Sequence, residues 1–334
     1  MDALQKKSII SSRGFTYTYY VSNPAEATKT TPPLFLQHGF PDDSHLWQDV
    51  VAKLPGYRVI VPDMLGYAGS SKPTDPSAYE YSAHTKDLTE ILDAESVDKV
   101  ISVGHDWGSI IAQRLYLHHP ERVAGVVLLN VAYTLPSQKP FDLPATNAYL
   151  EKVYGYPLLA YQEFIISDEG PAILKAHADR VFDGMHGAPR NWMRDLLCQR
   201  GSFKKWLLNE DGDWNVEPRD YAKNPELRKK YIERFQRDGF EGPACYYKST
   251  ANNVQHKVEK TIPEERQIIK VPVLYIGCLQ DAVCRPEALI PAKQGGFLPD
   301  LEETTLDCAH WSPLEAPGPV ASAIDNFLTK KFST

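Results

Sequence analysis

Val100-Ile101-Ser102-Val103-Gly104-His105-Asp106-Trp107-Gly108-Ser109 reads as a buried strand, a sharp turn and the start of a helix. The run from Lys99 to Val103 is rich in β-branched residues, as expected of a strand covered on both faces. Gly104 and Gly108 flank the turn, where a missing Cβ lets strand and helix backbones approach closely. From Ile110 to His118 apolar residues recur at helical spacing until His119-Pro120 stops them. This is the pattern G-x-Nu-x-G of a nucleophile elbow, with Asp106 where a serine often stands.

Working outward, Phe15, Tyr17, Tyr19 and Val21 alternate with smaller or polar residues, which predicts an amphipathic strand in an early hairpin. Leu34 to Gln37 and Tyr57 to Val61 predict short buried strands, and Trp47 to Leu54 a helix between them. Ser82 is the expected cap of a helix running to about Leu92, and Val123 to Asn130 the next buried strand. Strands alternating with helices in this way predict a mostly parallel sheet with helices on both faces. That rhythm fails after Leu135 and returns at Val271 to Gly277, with Leu301 to Leu306 as a last strand and Pro319 to Phe327 as a closing helix. The expected organisation is an α/β core of residues 1–135 and 248–334, interrupted by a helical cap of residues 136–247.

The 334 residues are enough for a large core, and 43% hydrophobic with 24% charged residues argues against disorder and against a membrane span. A net charge of -7 without a long basic run gives no support to nucleic-acid binding. The five cysteines are odd in number and form no C-x-x-C pair, so free thiols in a reducing compartment are expected. The N-terminal residues carry no apolar signal segment, Lys331-Phe332-Ser333-Thr334 is no retention or peroxisomal tripeptide, and no N-x-S/T acceptor occurs. A cytoplasmic protein, monomer or homodimer, is the expectation.

Four pieces carry chemistry. A carboxylate at Asp106 is ionised at neutral pH, so it can attack a carbon electrophile without a base to activate it. The bland alternative is an Asp capping the helix beside it. Asp307-Cys308-Ala309-His310-Trp311 follows the last strand, and the order nucleophile, acid, His suits His310 as the base that activates water in a second half-reaction. Asp281 follows the penultimate strand and is the expected partner of the His310 imidazole, with Asp307 and Glu287 as rivals. The turn His38-Gly39-Phe40-Pro41 can aim the Phe40 N–H at the same point as the Trp107 N–H, forming an oxyanion hole. His38 is read as a structural brace, and Pro41 has no N–H to give.

Together the His38-Gly39-Phe40-Pro41 turn, the Gly104-His105-Asp106-Trp107-Gly108 elbow, Asp281 and the Cys308-Ala309-His310-Trp311 stretch resemble the α/β-hydrolase-fold epoxide hydrolases, from about Phe15 to Phe327. The resemblance implies the α/β-hydrolase fold, conversion of a small apolar epoxide and water to a vicinal diol, and no metal or organic cofactor. It also implies two cap tyrosines that bind and protonate the epoxide oxygen. Tyr247 matches the family's tyrosine in a segment where Cys245, Tyr246 and Lys248 replace the usual Asn, Trp and Arg, and Tyr246 is its rival. Tyr161 in Tyr161-Gln162-Glu163-Phe164 is similar to the family's early cap Tyr-Gln, with Tyr154 and Tyr156 close by. Trp107 and Phe40 are expected to line the substrate pocket as well.

Two other readings use the same residues. A haloalkane dehalogenase shares the elbow Asp and following Trp, but Phe40 stands where such enzymes commonly place Asn. A non-catalytic ligand-binding protein of this fold has no need of nucleophile, acid and base together. The segments around Asn191-Trp192-Met193-Arg194 and Asp213-Trp214 could meet a partner, with packing over the pocket as the plainer account.

Overall fold

A computed structural model describes residues 1, 3–210, 214 and 216–332. Asp213, Ser333 and Thr334, named above, lie outside the described residues. The strands are β1 (Gln5–Ile10), β2 (Thr16–Val21), β3 (Leu34–Gln37), β4 (Val59–Pro62), β5 (Val100–His105), β6 (Val123–Leu129), β7 (Val273–Cys278) and β8 (Leu301–Leu306). They form one sheet in the order β1-β2-β4-β3-β5-β6-β7-β8. The pairs β1–β2 and β2–β4 are antiparallel and the rest parallel.

The burial of each strand follows its place in that order. β3, β4, β5 and β7 are buried at every position, whereas the outermost strands β1 and β8 alternate toward solvent. Central parallel strands need apolar side chains on both faces, which is why β5 shows no period-two pattern. α1 (Gln48–Val51) follows β3, and α2 (Tyr81–Ala94) follows β4. α3 (Trp107–His118) leaves directly from β5 and packs on α2, β5 and β6. A Cβ on Gly104 would lie 2.1 Å from the Gly108 carbonyl oxygen, and one on Gly108 would lie 2.1 Å from that of Gln37. Only glycine lets β5, β3 and α3 meet this closely.

Two local expectations are corrected. α2 begins at Tyr81 and is capped by Glu80, whose carboxylate accepts from the Ser82 N–H, so Ser82 is a first-turn residue and not the cap. The helix expected over Trp47 to Leu54 is a 3-10 turn, Ser44–Trp47, followed by the single turn of α1.

Between β6 and β7 the chain leaves the sheet and runs through α4 (Leu143–Tyr154), α5 (Ala160–Ile165), α6 (Gly170–Ala176), α7 (Ala178–Met185), α8 (Trp192–Leu197), α9 (Ser202–Leu208), α10 (Pro225–Asp238), α11 (Glu241–Ala251) and α12 (Val254–Glu259). The boundary expected at residue 247 falls inside α11, so the helical insertion continues past it. Trp192 packs edge-on against Trp206 at 5.1 Å and Trp214 at 6.0 Å, so these tryptophans serve the insertion's own core. After β7 come the short α13 (Ile290–Gln294) and α14 (Ser312–Glu315), and α15 (Pro317–Phe332) packs on α1, β7 and β8. No helix among the described residues is long and apolar enough to cross a membrane.

Candidate active site

The elbow puts Asp106 at the C-terminal edge of the sheet's middle strand, between β5 and α3. Its backbone is left-handed, with φ 55° and ψ −124°, a conformation that a non-glycine residue holds only when its surroundings enforce it. The Asp106 side chain makes no capping bond to α3, which removes the cap reading. The Phe40 N–H donates to Asp106 Oδ1 at 2.7 Å instead.

Gly39 makes that approach feasible. A Cβ there would lie 2.4 Å from Asp106 Oδ1 and 2.6 Å from the Trp107 nitrogen, so a side chain at this position would crowd both the carboxylate and the Trp107 backbone. His38 braces the turn: its Nε2 accepts from the Met64 N–H at 2.9 Å, and its Nδ1 bonds the Gly39 carbonyl at 3.0 Å. Burial lowers its pKa to about 4, which keeps it neutral and able to accept. From the cap side, Arg234 donates to the Pro41 carbonyl at 2.8 Å and pairs with Asp43.

His310 stands on the other side of Asp106. Its Nδ1 is 2.6 Å from Asp281 Oδ2 and its Nε2 is 3.5 Å from Asp106 Oδ2. Burial alone would lower the His310 pKa, but the Asp281 charge and the bonds to Asp106 and Asp281 outweigh it and hold it well above 6.5. Burial would likewise raise Asp281, yet the His310 charge and hydrogen bond bring it down to about 2. The rivals are elsewhere: Asp307 bonds Gln280 and Arg190 at the surface, and Glu287 pairs with Arg285.

Asp281, Cys284 and His310 lie close enough together to be tested as a metal set. Asp281 Oδ1 already accepts from the Val283 and Cys284 N–H groups, and Oδ2 is shared by Asn130 and His310. A carboxylate so fully bonded is built to orient an imidazole.

Two site-supporting residues escaped the sequence reading. Asn130, at φ 66° just after β6, donates from Nδ2 to Asp281 Oδ2 at 2.8 Å. His105 Nε2 donates to the His310 carbonyl at 2.8 Å, and burial lowers its pKa to about 4. Position at a strand's C-terminal end was their one sequence signal.

Above the carboxylate, the Tyr247 ring sits edge-on to Trp107 at 5.0 Å, to Phe40 at 5.2 Å and to Tyr161 at 5.9 Å. Burial, followed by the Asp106 charge for Tyr161 and by Tyr161 and then Asp106 for Tyr247, raises both phenols well above 10. The rivals are spoken for. Tyr246 donates to the Leu65 carbonyl at 2.9 Å, and Tyr156 to the Ala282 carbonyl at 3.1 Å. Tyr154 lines a separate surface cleft. Successive helical residues point about 100° apart, so Tyr246 and Tyr247 on α11 serve the core and the site respectively.

Asp106, Trp107 and Tyr161 line a cavity of about 420 Å³ together with Ile110, Leu159 and Val283, whereas Phe40 and Tyr247, expected to line it, do not. That volume suits a small organic molecule. A carboxylate with a backbone donor on one oxygen, a carboxylate-oriented imidazole and two phenols are groups that could form an ester on the carboxylate and then hydrolyse it.

Comparison with known proteins places the fold and the family. A family profile described as the alpha/beta hydrolase fold matches residues 32–164. Epoxide hydrolase A of Mycobacterium tuberculosis is 31% identical over 311 residues, covering 89% of this chain and 90% of that protein. Epoxide hydrolase 3 of Siraitia grosvenorii is 29% identical over 314 residues, covering 90% and 93%. The crystal structure of Epoxide Hydrolase A from Mycobacterium thermoresistibile superposes with a TM-score of 0.76 at 24% identity, covering 97% of this chain and 98% of that one.

Proposed function

This chain belongs to the epoxide hydrolase family of the α/β-hydrolase fold, and we propose that it converts epoxides to vicinal diols through an ester on Asp106. The observation that carries the reading is Asp106 itself: Oδ1 is held by the Phe40 N–H, Oδ2 faces His310, and Tyr161 and Tyr247 pack edge-on to each other, with the Tyr247 ring against Trp107. Oδ2 attacks a ring carbon and the ring C–O bond breaks. The released oxygen takes a proton from Tyr161 or Tyr247, whose raised pKa keeps the phenol protonated until that charge develops.

Alkylation removes one of the two negative charges that hold the proton on His310. The imidazole can then pass it to the tyrosinate and serve as base. It takes a proton from water, the hydroxide attacks Asp106 Cγ, and the charge on Oδ1 is held by the Phe40 and Trp107 N–H groups. Collapse expels the diol oxygen, which takes the proton from His310. The proton left on the Asp106 carboxyl returns to His310, restoring the resting charge state, and the cycle closes without metal or cofactor.

A single turnover in water enriched in oxygen-18 tests this route. The diol should leave unlabelled, because its new oxygen is the former Asp106 Oδ2, and the protein should gain the label. A labelled diol from an unlabelled enzyme means direct attack by water and refutes the ester. Turnover of a haloalkane but not an epoxide moves the reading to dehalogenation.

We also propose a cytoplasmic setting, supported by five cysteines that are all free, and a monomer or homodimer, to be read by light scattering. A division into a core of residues 1–135 and 248–334 and a cap of 136–247 belongs to the same proposal, with its far edge to be drawn after α11.

A further inference from the structure

The cavity has two chemically different ends. α3 runs along it: Trp107, Ile110 and Arg114 are spaced by three and four residues, so they share one helix face. At 1.5 Å of rise per residue, Arg114 lies about 12 Å along the axis from Asp106. The stretch between is apolar, lined by Ile110, Val131, Leu135 and Leu159. At its far end stands a buried ion pair, Arg114 with Glu259, whose side chains are only 3% and 4% exposed.

A buried ion pair adds little stability over apolar packing of the same volume. Its place in the wall of an apolar cavity calls for a different account. Arg114 Nε pairs with Glu259 Oε1, and its Nη1 donates to Gln113 Oε1 at 2.8 Å and to the Thr134 carbonyl at 2.7 Å. Glu259 Oε2 accepts from the Ser137 N–H at 2.8 Å. The other Arg114 nitrogen, Nη2, has no hydrogen-bond partner among the described residues. His256 also lines this end, and its Nδ1 bonds the Ser137 carbonyl at 3.1 Å. A nitrogen bonded to a carbonyl carries the proton, so His256 Nε2 is an acceptor.

We propose that this far end binds a neutral hydroxyl on the substrate, which receives a hydrogen bond from Arg114 Nη2 and donates one to His256 Nε2. The substrate class is then an epoxide joined to an alcohol by an apolar spacer of about 12 Å. A carboxylate is disfavoured there, because Glu259 already neutralises Arg114 and would repel a second anion. This inference rests on the epoxide hydrolase reading and names the substrate class within it.

The test compares one medium-chain terminal epoxide in methyl-terminated, ω-hydroxy and ω-carboxy forms, with styrene oxide as a short reference. The ω-hydroxy form should exceed the methyl-terminated form about tenfold in kcat/KM, with the carboxylate below both. In Arg114→Met/Glu259→Leu that preference should fall to near unity. His256→Phe should shrink it too, and serves if the double variant does not fold. A wild-type preference for the methyl terminus, or a hydroxyl preference that survives in a folded variant, overturns the inference. Failure of every epoxide, styrene oxide included, would instead strike the epoxide hydrolase reading.

Discussion

His310 Nε2 stands 3.5 Å from Asp106 Oδ2, while the opposite ring nitrogen is held at 2.6 Å by Asp281. The neighbouring Asp281 and Asp106 carboxylates raise the His310 pKa well above 6.5, which favours a protonated His310 in the free enzyme. In the proposed route, neutralising Asp106 by alkylation is what would free His310 to act as base. The order of the two half-reactions in that route follows from these electrostatics.

The first prediction concerns that proton. His310 should titrate well above 6.5 in the free enzyme, and its pKa should fall in the alkylated state. A raised folded-state pKa contributes stability that is full below the unfolded value near 6.5 and is lost as pH rises through the folded value. NMR of the imidazole against pH checks this. A free-enzyme value near 6.5 would remove the charge argument.

The tyrosines separate by function. Tyr247→Phe and Tyr161→Phe should each slow Asp106 alkylation by about 10- to 100-fold in single-turnover kinetics, because each removes a proton donor to the leaving oxygen. Tyr246→Phe should leave that rate nearly intact and cost about 1 kcal/mol of stability, since it leaves the Leu65 carbonyl unpaired. The reverse pattern would exchange the two residues' roles.

Gly39→Ala should be a sharp probe of the oxyanion turn. The new Cβ would lie 2.4 Å from Asp106 Oδ1 and 2.6 Å from the Trp107 nitrogen, and neither neighbour can retreat without opening the hole. A loss of about 100-fold or more in kcat is expected. Full activity in Gly39→Ala would contradict the proposed oxyanion hole.

Asp42 gives a stability prediction with a defined pH window. Burial raises its carboxyl to about 7, against the partial relief from Arg234 and from the Trp311 indole that bonds it at 3.0 Å. The folded state therefore holds a proton that the unfolded state has released, and stability falls as pH rises from about 4 to about 7. Asp42→Asn removes that dependence. Its melting temperature relative to the parent should be higher at pH 7.5 than at pH 5, and a constant difference would mean that Asp42 does not titrate there.

Much of this was legible in the chain because the relevant physics is local. The elbow could be read because Gly104 and Gly108 stand where two backbones meet, and β5 because both of its faces demand apolar side chains. The helix start at Tyr81 was misplaced because a Glu, an uncommon cap, does the work expected of Ser82. The supporting shell was not legible at all. The His105 bond to the His310 carbonyl spans 205 residues, Asn130 to Asp281 spans 151, and Arg114 to Glu259 spans 145. No local pattern marks such pairs. Tyr246 stood as a rival to Tyr247 for a related reason: the Leu65 carbonyl that claims Tyr246 comes from a loop 181 residues away.

The most direct test of the account is the intact mass of His310→Gln after mixing with a terminal epoxide. The base is gone and the nucleophile is untouched, so the account predicts a protein heavier by one whole epoxide, with the addition localised to Asp106. A folded variant that stays unmodified, or that turns the epoxide over at the parent rate, would contradict the covalent route through Asp106 and His310.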